Sequence, residues 1–236
     1  MATGKFVLQI CGWLIGIPLD ILVIQALLGG AWRRYPLVFL YVAASFVTTL
    51  VEVPLNTESY LTGSTAAVAL FAKVYWIDDW LLQFMIFAIV LSLIDRAMLA
   101  SPWRRLTRIG LAAGALLFAG LSLWVHYRPG PKIGLWMTPW TRDLSVCATV
   151  LDLALWMILI ATLKRDRSLL LISGALGMRF TGDAIGAAVA YLSMHNKMAA
   201  VALTGSVITM LADLACLYVW WQTFRPARNP VAVPVG

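Results

Sequence analysis

The chain has 236 residues, 61% of them hydrophobic and only 12% charged, with a mean hydropathy of +0.85. Roughly a quarter of the residues in a soluble domain are charged, so an ordinary soluble fold is excluded, and no segment outside the apolar stretches is long enough for a second domain. The formal charge of +7 does not point to nucleic acid, because the Lys and Arg residues lie in short loops between apolar stretches, where membrane topology needs them.

The first predicted span is Phe6–Gly29, with Pro18 and Asp20 inside it. It is longer than the apolar region of a signal peptide and holds an acid, so it is expected to stay as a span. Gly29-Gly30 and Arg33-Arg34 form a tight loop before the second span, Tyr35–Leu55, which carries Glu52. The polar loop Asn56–Ser64 leads to the third span, Val68–Ile94, with Lys73 near its start and Asp78 and Asp79 in YWIDDW. A basic loop with Arg96, Arg104, Arg105 and Arg108 follows. The fourth span, Ile109–Tyr127, has no Asp, Glu, Lys or Arg. It is expected at the edge of the bundle, with Gly110 and Gly114 at the GxxxG spacing of a packing face.

After the loop Arg128–Arg142, the fifth span is Asp143–Leu163 and contains Asp152; Lys164, Arg165 and Arg167 mark the next loop. The sixth span, Leu169–Leu192, organises the rest. It is long enough to cross about 30 Å of hydrocarbon, yet carries Arg179 and Asp183 near its middle. A charge at that depth costs about 2.5–3.5 kcal/mol, so these side chains must be partnered and must face protein or water. Four residues apart, they share one helix face, and Gly182, Gly186 and Ala190 lie close to the same stripe, where a neighbouring helix can approach. The seventh span, Ala199–Phe224, contains Asp213.

This predicts an all-α polytopic membrane protein of seven transmembrane helices, one domain over residues 1–236. Arg33, Arg34, Arg96, Arg104, Arg105, Arg108, Lys164, Arg165, Arg167, Arg225 and Arg228 fall on one side; Lys5, Lys73, Arg128, Lys132, Arg142 and Lys197 fall on the other. Eleven against six places the N-terminus outside and the C-terminus in the cytoplasm of a cell inner (plasma) membrane. Trp32, Trp103, Trp220 and Trp221 are expected at the inner interface, and Trp76, Trp80, Trp124, Trp136 and Trp140 at the outer one.

An internal repeat is also expected. An offset of 132 residues aligns Leu19-Asp20 with Leu151-Asp152, superposes the basic loops after spans one and five, and brings Glu52 next to Asp183. With a two-residue slip it aligns Asp79 with Asp213. Residues 6–94 and 143–224 then form a parallel 3+1+3 arrangement with linker helix 109–127 and a pseudo-two-fold axis along the membrane normal. That layout resembles SWEET-type sugar transporters, which use prolines in paired helices; here Pro18 lies in span one and span five has none. The outside-to-inside seven-helix order, with acids on span three, resembles microbial rhodopsins. The last span holds Asp213 and no lysine, so it lacks the group to which that family attaches retinal. Neither likeness extends beyond layout.

The candidate site is the set of intramembrane ionisable residues: Asp20, Glu52, Asp78, Asp79, Asp152, Arg179, Asp183 and Asp213. Seven acids and one base cannot all stay charged in a dry core. Glu52, Asp78 and Asp79 are placed to reach water near the outer interface. Arg179 has more donors than Asp183 can accept, so a second acid is expected from another helix, Asp152 first and the deeper Asp213 second. Cys11, Cys147 and Cys216 lie within apolar spans and read as small buried hydrophobes; His126 and His195 lie at segment ends. No nucleophile–base pair, phosphate loop or metal spacing is present in the sequence, so no catalytic residue, cofactor or metal is expected, and an enzyme is the weakest reading. The leading expectation is a membrane-embedded binding or translocation module for a small solute, proton or cation. The alternative is a seven-helix sensory receptor or a non-catalytic subunit of a membrane complex. Besides lipid, the partners expected are a small solute or cation and a second copy or complex subunit, with no nucleic acid.

Overall fold

The computed structural model describes residues 2–99, 104–127, 134–161, 166–196 and 199–225. Within them the chain forms seven α-helices: α1 (Ala2–Leu28), α2 (Pro36–Thr62), α3 (Thr65–Ala97), α4 (Arg104–His126), α5 (Gly134–Ala161), α6 (Arg167–Asn196) and α7 (Ala199–Phe224). A short 3-10 turn, Ala31–Arg33, links α1 to α2. Among the described residues there is no strand. Six of the helices, all but α6, are long and apolar enough to cross a membrane. Large apolar side chains stand exposed around the bundle, among them Leu14 (74%) and Trp124 (79%), a surface that only lipid covers favourably. This is a helical, multi-pass membrane protein. Of the charged and Trp residues expected at the interfaces, Trp103, Arg128, Lys132, Lys164, Arg165, Lys197 and Arg228 lie outside the described residues, as do the side chains of Lys5, Trp136 and Ala190.

Local signals set several helix ends. Pro36 opens α2, where its missing N–H costs nothing. Gly63 closes α2 in the left-handed conformation (φ 59°), its N–H bonded to the Ser59 carbonyl, so α3 begins within two residues and folds back along α2. Asp166 caps α6 by accepting the Ser168 N–H at 3.1 Å.

The helices divide the bundle into a packed end and a hollow end. Most of the buried apolar core comes from the C-terminal parts of α1, α3, α5 and α7 and the N-terminal parts of α2 and α6: Leu27, Val38, Ile86, Leu93, Leu155, Ile172, Leu176 and Trp220 are all buried. This end is closed by an ion pair at 2.6 Å between Arg34 and Asp166, and by the Arg34 and Arg96 guanidiniums over the buried Tyr35 ring. The α6–α7 contact is the closest in the molecule. A Cβ added to Gly182 would collide with Ala212, and one on Gly186 would lie 2.8 Å from the Gly205 carbonyl. Helix α1 runs parallel to α7, with Gly4, Gly12 and Gly16 opposite Leu203, Met210 and Leu214.

Among the described residues helix α4 packs along α3 and α5 only, and it sits at the edge of the bundle. Its glycines do not contact the rest of the chain: positions 110, 114 and 120 have nothing within 4 Å of an added Cβ. It is tied to its neighbours by polar bonds instead. Arg104 donates two hydrogen bonds to Asp95 (3.2 and 2.8 Å), Ser122 donates to Asp143 at 2.7 Å, and the Trp140 indole donates to the Ala119 carbonyl at 3.1 Å.

Candidate functional site: a carboxylate-lined cavity

The eight ionisable residues picked out by their depth in the spans do not form one cluster. The structure separates seven of them into three groups and places Asp20 apart from these, in the wall of a cavity.

The first surrounds Arg179. Its Nε lies 3.0 Å from Asp213 Oδ1 on α7 and 4.0 Å from Asp183 Oδ2 one turn along α6. Its Nη1 donates a hydrogen bond to the Tyr41 hydroxyl of α2. The contact with Asp213 is close but not aligned as a hydrogen bond, since neither Nε nor that oxygen has a bonding partner among the described residues. Arg179 therefore holds one carboxylate by charge and one phenol by direction, tying α2, α6 and α7 at one level. Trp220 supports Tyr41, its ring meeting the tyrosine edge-on at 5.8 Å, and anchors itself by donating its indole N–H to the Ile172 carbonyl at 3.3 Å.

The second group is Asp152 alone. It is only 3% exposed and accepts a hydrogen bond from Ser173 Oγ at 2.7 Å. This corrects the expectation that Asp152 would be the first interhelical partner of Arg179; Asp213 takes that place. The reason is azimuth. A Cβ on Gly177 would lie 3.3 Å from Asp152 Oδ2, so Ser173 and Gly177 form the α5-facing side of α6. Arg179 is two residues on, about 200° round the helix, on the side that meets α7.

The third group is Glu52 on α2 with Asp78 and Asp79 on α3. They lie within electrostatic range of one another, and Glu52 Oε1 and Asp78 Oδ1 are buried without a hydrogen-bond partner. All three residues are half-buried rather than fully in water. Among the described residues, no group of three or more His, Cys, Asp or Glu is arranged to hold a metal ion. Cys11, Cys147 and Cys216 are unpaired; Cys216 is buried and Cys11 is exposed.

Between α1, α2, α3, α6 and α7 lies a cavity of about 840 Å³, in the hollow end of the bundle. Its carboxylates are Asp20, Asp183 and Asp213, and its other polar lining includes Gln9, Ser45, Thr49, Tyr75 and Thr209. No Lys or Arg is among the lining residues. Asp20 is 4% exposed, and its Oδ1 makes no hydrogen bond. Asn56 on α2 donates to Gln9 on α1 at 2.8 Å, and Phe6 stacks on Tyr60 at 4.0 Å, so α1 and α2 are clasped beside the cavity. The cavity and the Arg179 network share Asp183 and Asp213 and so form one site.

Several of these residues escape a reading based on charge. Tyr41 carries none, and its hydroxyl sits in an apolar span like any interfacial tyrosine. Gln9 and Asn56 were detectable in principle, because amides inside spans seek each other across helices. The chain matches no protein-family model, no curated protein and no solved structure.

Proposed function

We propose that the chain is a membrane-embedded module that binds, and passes across the bilayer, a small solute or cation. The observation that carries this reading is the cavity of about 840 Å³ bearing three carboxylates beside the half-buried Arg179 guanidinium. A fixed structural network would fill its space and satisfy its groups. This one leaves room for a ligand and leaves buried oxygens unbonded. A purely structural subunit would have less use for such a space.

In the proposed orientation all seven helices cross the inner membrane, the N-terminus lies outside and the C-terminus in the cytoplasm. The hollow end then faces outward, and the Arg34–Asp166 end is closed toward the cytoplasm. Support for the 3+1+3 repeat comes from which helices touch. Exchanging α1 with α5, α2 with α6 and α3 with α7 turns α1–α7 into α5–α3, α1–α2 into α5–α6, and α2–α3 into α6–α7, and each of these is a packed pair. Arg34 and Asp166, which pair at the closed end, are 132 positions apart, the same offset that aligns the two halves in sequence. Two similar halves about a central site provide the mechanical basis for opening one end while closing the other.

The test is thiol accessibility. In a chain with its three cysteines changed to alanine, Thr209→Cys in the cavity wall should react in intact cells with a membrane-impermeant methanethiosulfonate, while Ser173→Cys in the packed region should not. An unreactive thiol at position 209, from either side of the membrane, would remove the cavity as a ligand site.

A further inference from the structure

The three carboxylates of the cavity are not equivalent. Asp213 and Asp183 lie 3.0 and 4.0 Å from Arg179 and share its charge. Asp20 makes no ion pair with it. Asp20 is nine-tenths buried and lines the cavity, with Oδ1 free of any hydrogen bond among the described residues. A buried carboxylate oxygen without a hydrogen bond is costly, and a ligand that donates to it removes that cost.

The surroundings say what sort of partner. A bare metal ion wants several oxygen ligands at short range. The cavity walls are instead largely apolar, and among the described residues no acid group is arranged to hold a metal. The cavity is also lined by Trp13 on α1 and by Phe71 and Tyr75 on α3. Aromatic faces attract organic cations through their quadrupoles, and they also accept an apolar body. The volume suits a drug-sized molecule better than an ion.

We infer that the cavity takes a small organic cation, an amine with an apolar or aromatic body, whose ammonium bonds Asp20 and whose body rests against Trp13, Phe71 and Tyr75. Asp213 and Asp183 share the single charge of Arg179, so together the three groups leave a net negative charge that draws a cation toward the cavity. This assignment rests on the cavity being the binding site proposed above, and it adds the class of ligand and the residue that reads it.

Titration of the purified full chain in detergent tests it, with calorimetry and tryptophan fluorescence as readouts and 2-phenylethylammonium, butylammonium and the neutral 2-phenylethanol as probes. At least one ammonium should bind saturably and raise the melting temperature, and the alcohol should bind more than about tenfold more weakly. Asp20→Asn should lose the same factor for the ammonium and leave the alcohol unchanged. Because Asn carries no charge to bury, this variant should melt no lower than the wild type, so a loss of binding cannot be ascribed to misfolding. If the alcohol binds as well as the ammonium, or Asp20→Asn binds as the wild type does, the cavity is a binding site but not one that reads cations through Asp20. If no probe binds while the thiol at position 209 is still labelled, the ligand class is wrong and the binding-module reading survives. If neither occurs, both fall.

Discussion

At the scale of single residues, Arg179 is the group on which most depends. It contacts Asp213 and Asp183 and donates to Tyr41, so its removal strands two carboxylates and a phenol together. Arg179→Leu should lower stability by well over the roughly 1 kcal/mol of a typical substitution. Arg179→Lys should recover only part of the loss, because a compact ammonium lacks the planar fork that places one nitrogen beside Asp213 and another on Tyr41. Melting curves of the three proteins in one detergent decide the matter; an Arg179→Leu protein that melts with the wild type is not held together through this residue. The need for a partner was legible in the sequence, since a guanidinium at that depth cannot stand alone. The partner's identity was only half legible. Depth along the helix ranks Asp152 ahead of Asp213, but azimuth decides between them. Azimuth depends on which neighbour lies against which face, and that is a tertiary fact. Asp20 was visible as an acid in a span, but its lack of a partner shows only once the surrounding helices are in place.

At the scale of elements, the glycines of α6 and those of α4 look alike in sequence and differ in surroundings. Gly182 and Gly186 sit where α7 leaves no space for a side chain, and Gly110, Gly114 and Gly120 face outward with nothing near. Gly182→Val should therefore destabilise strongly, by a few kcal/mol as overpacking does, and Gly114→Val should be close to neutral. Paired melting measurements suffice, and equal losses at the two positions would mean that α6 and α7 are not interlocked as described. The seven helices were readable from runs of apolar residues, since a bilayer leaves the backbone few alternatives, but two bounds were not. Helix α2 continues to Thr62 through the expected loop Asn56–Ser64, and α5 starts at Gly134 inside the expected loop Arg128–Arg142, because helix continues past the apolar run where polar residues still hydrogen-bond along it. The GxxxG spacing in α4 was not informative by itself. It marks a surface where backbones can approach, but only a neighbour gives it meaning, and within this chain α4 has none on that side.

At the scale of the molecule, the charges and the packing speak to the same asymmetry. The more basic set of loops includes Arg34 and Arg96, which lie at the packed end, and basic loops stay in the cytoplasm. The C-terminus follows α7, whose last turns join the packed end through Trp220 and Phe224. A reporter that is active only in the cytoplasm should thus be active when fused after residue 225. An external C-terminus would reverse the orientation and turn the cavity inward. The hollow end itself could not be read from spacing, because its lining comes from five helices, and no short motif records that meeting.

The one helix outside the six apolar enough to cross alone is α6, and this bears on how the protein is made. During synthesis Arg179 leaves the ribosome before Asp213, so the guanidinium reaches the translocon ahead of the carboxylate that will lie against it. Until α7 emerges, Arg179 has neither Asp213 nor the close approach of Ala212 to Gly182 beside it. Stable insertion of α6 is therefore expected to depend on α7. A glycosylation-site reporter placed just after α6 should show less complete insertion in a chain cut before Asp213 than in the full chain. Equal insertion would show that the sixth helix enters by itself, its arginine unaided by the last.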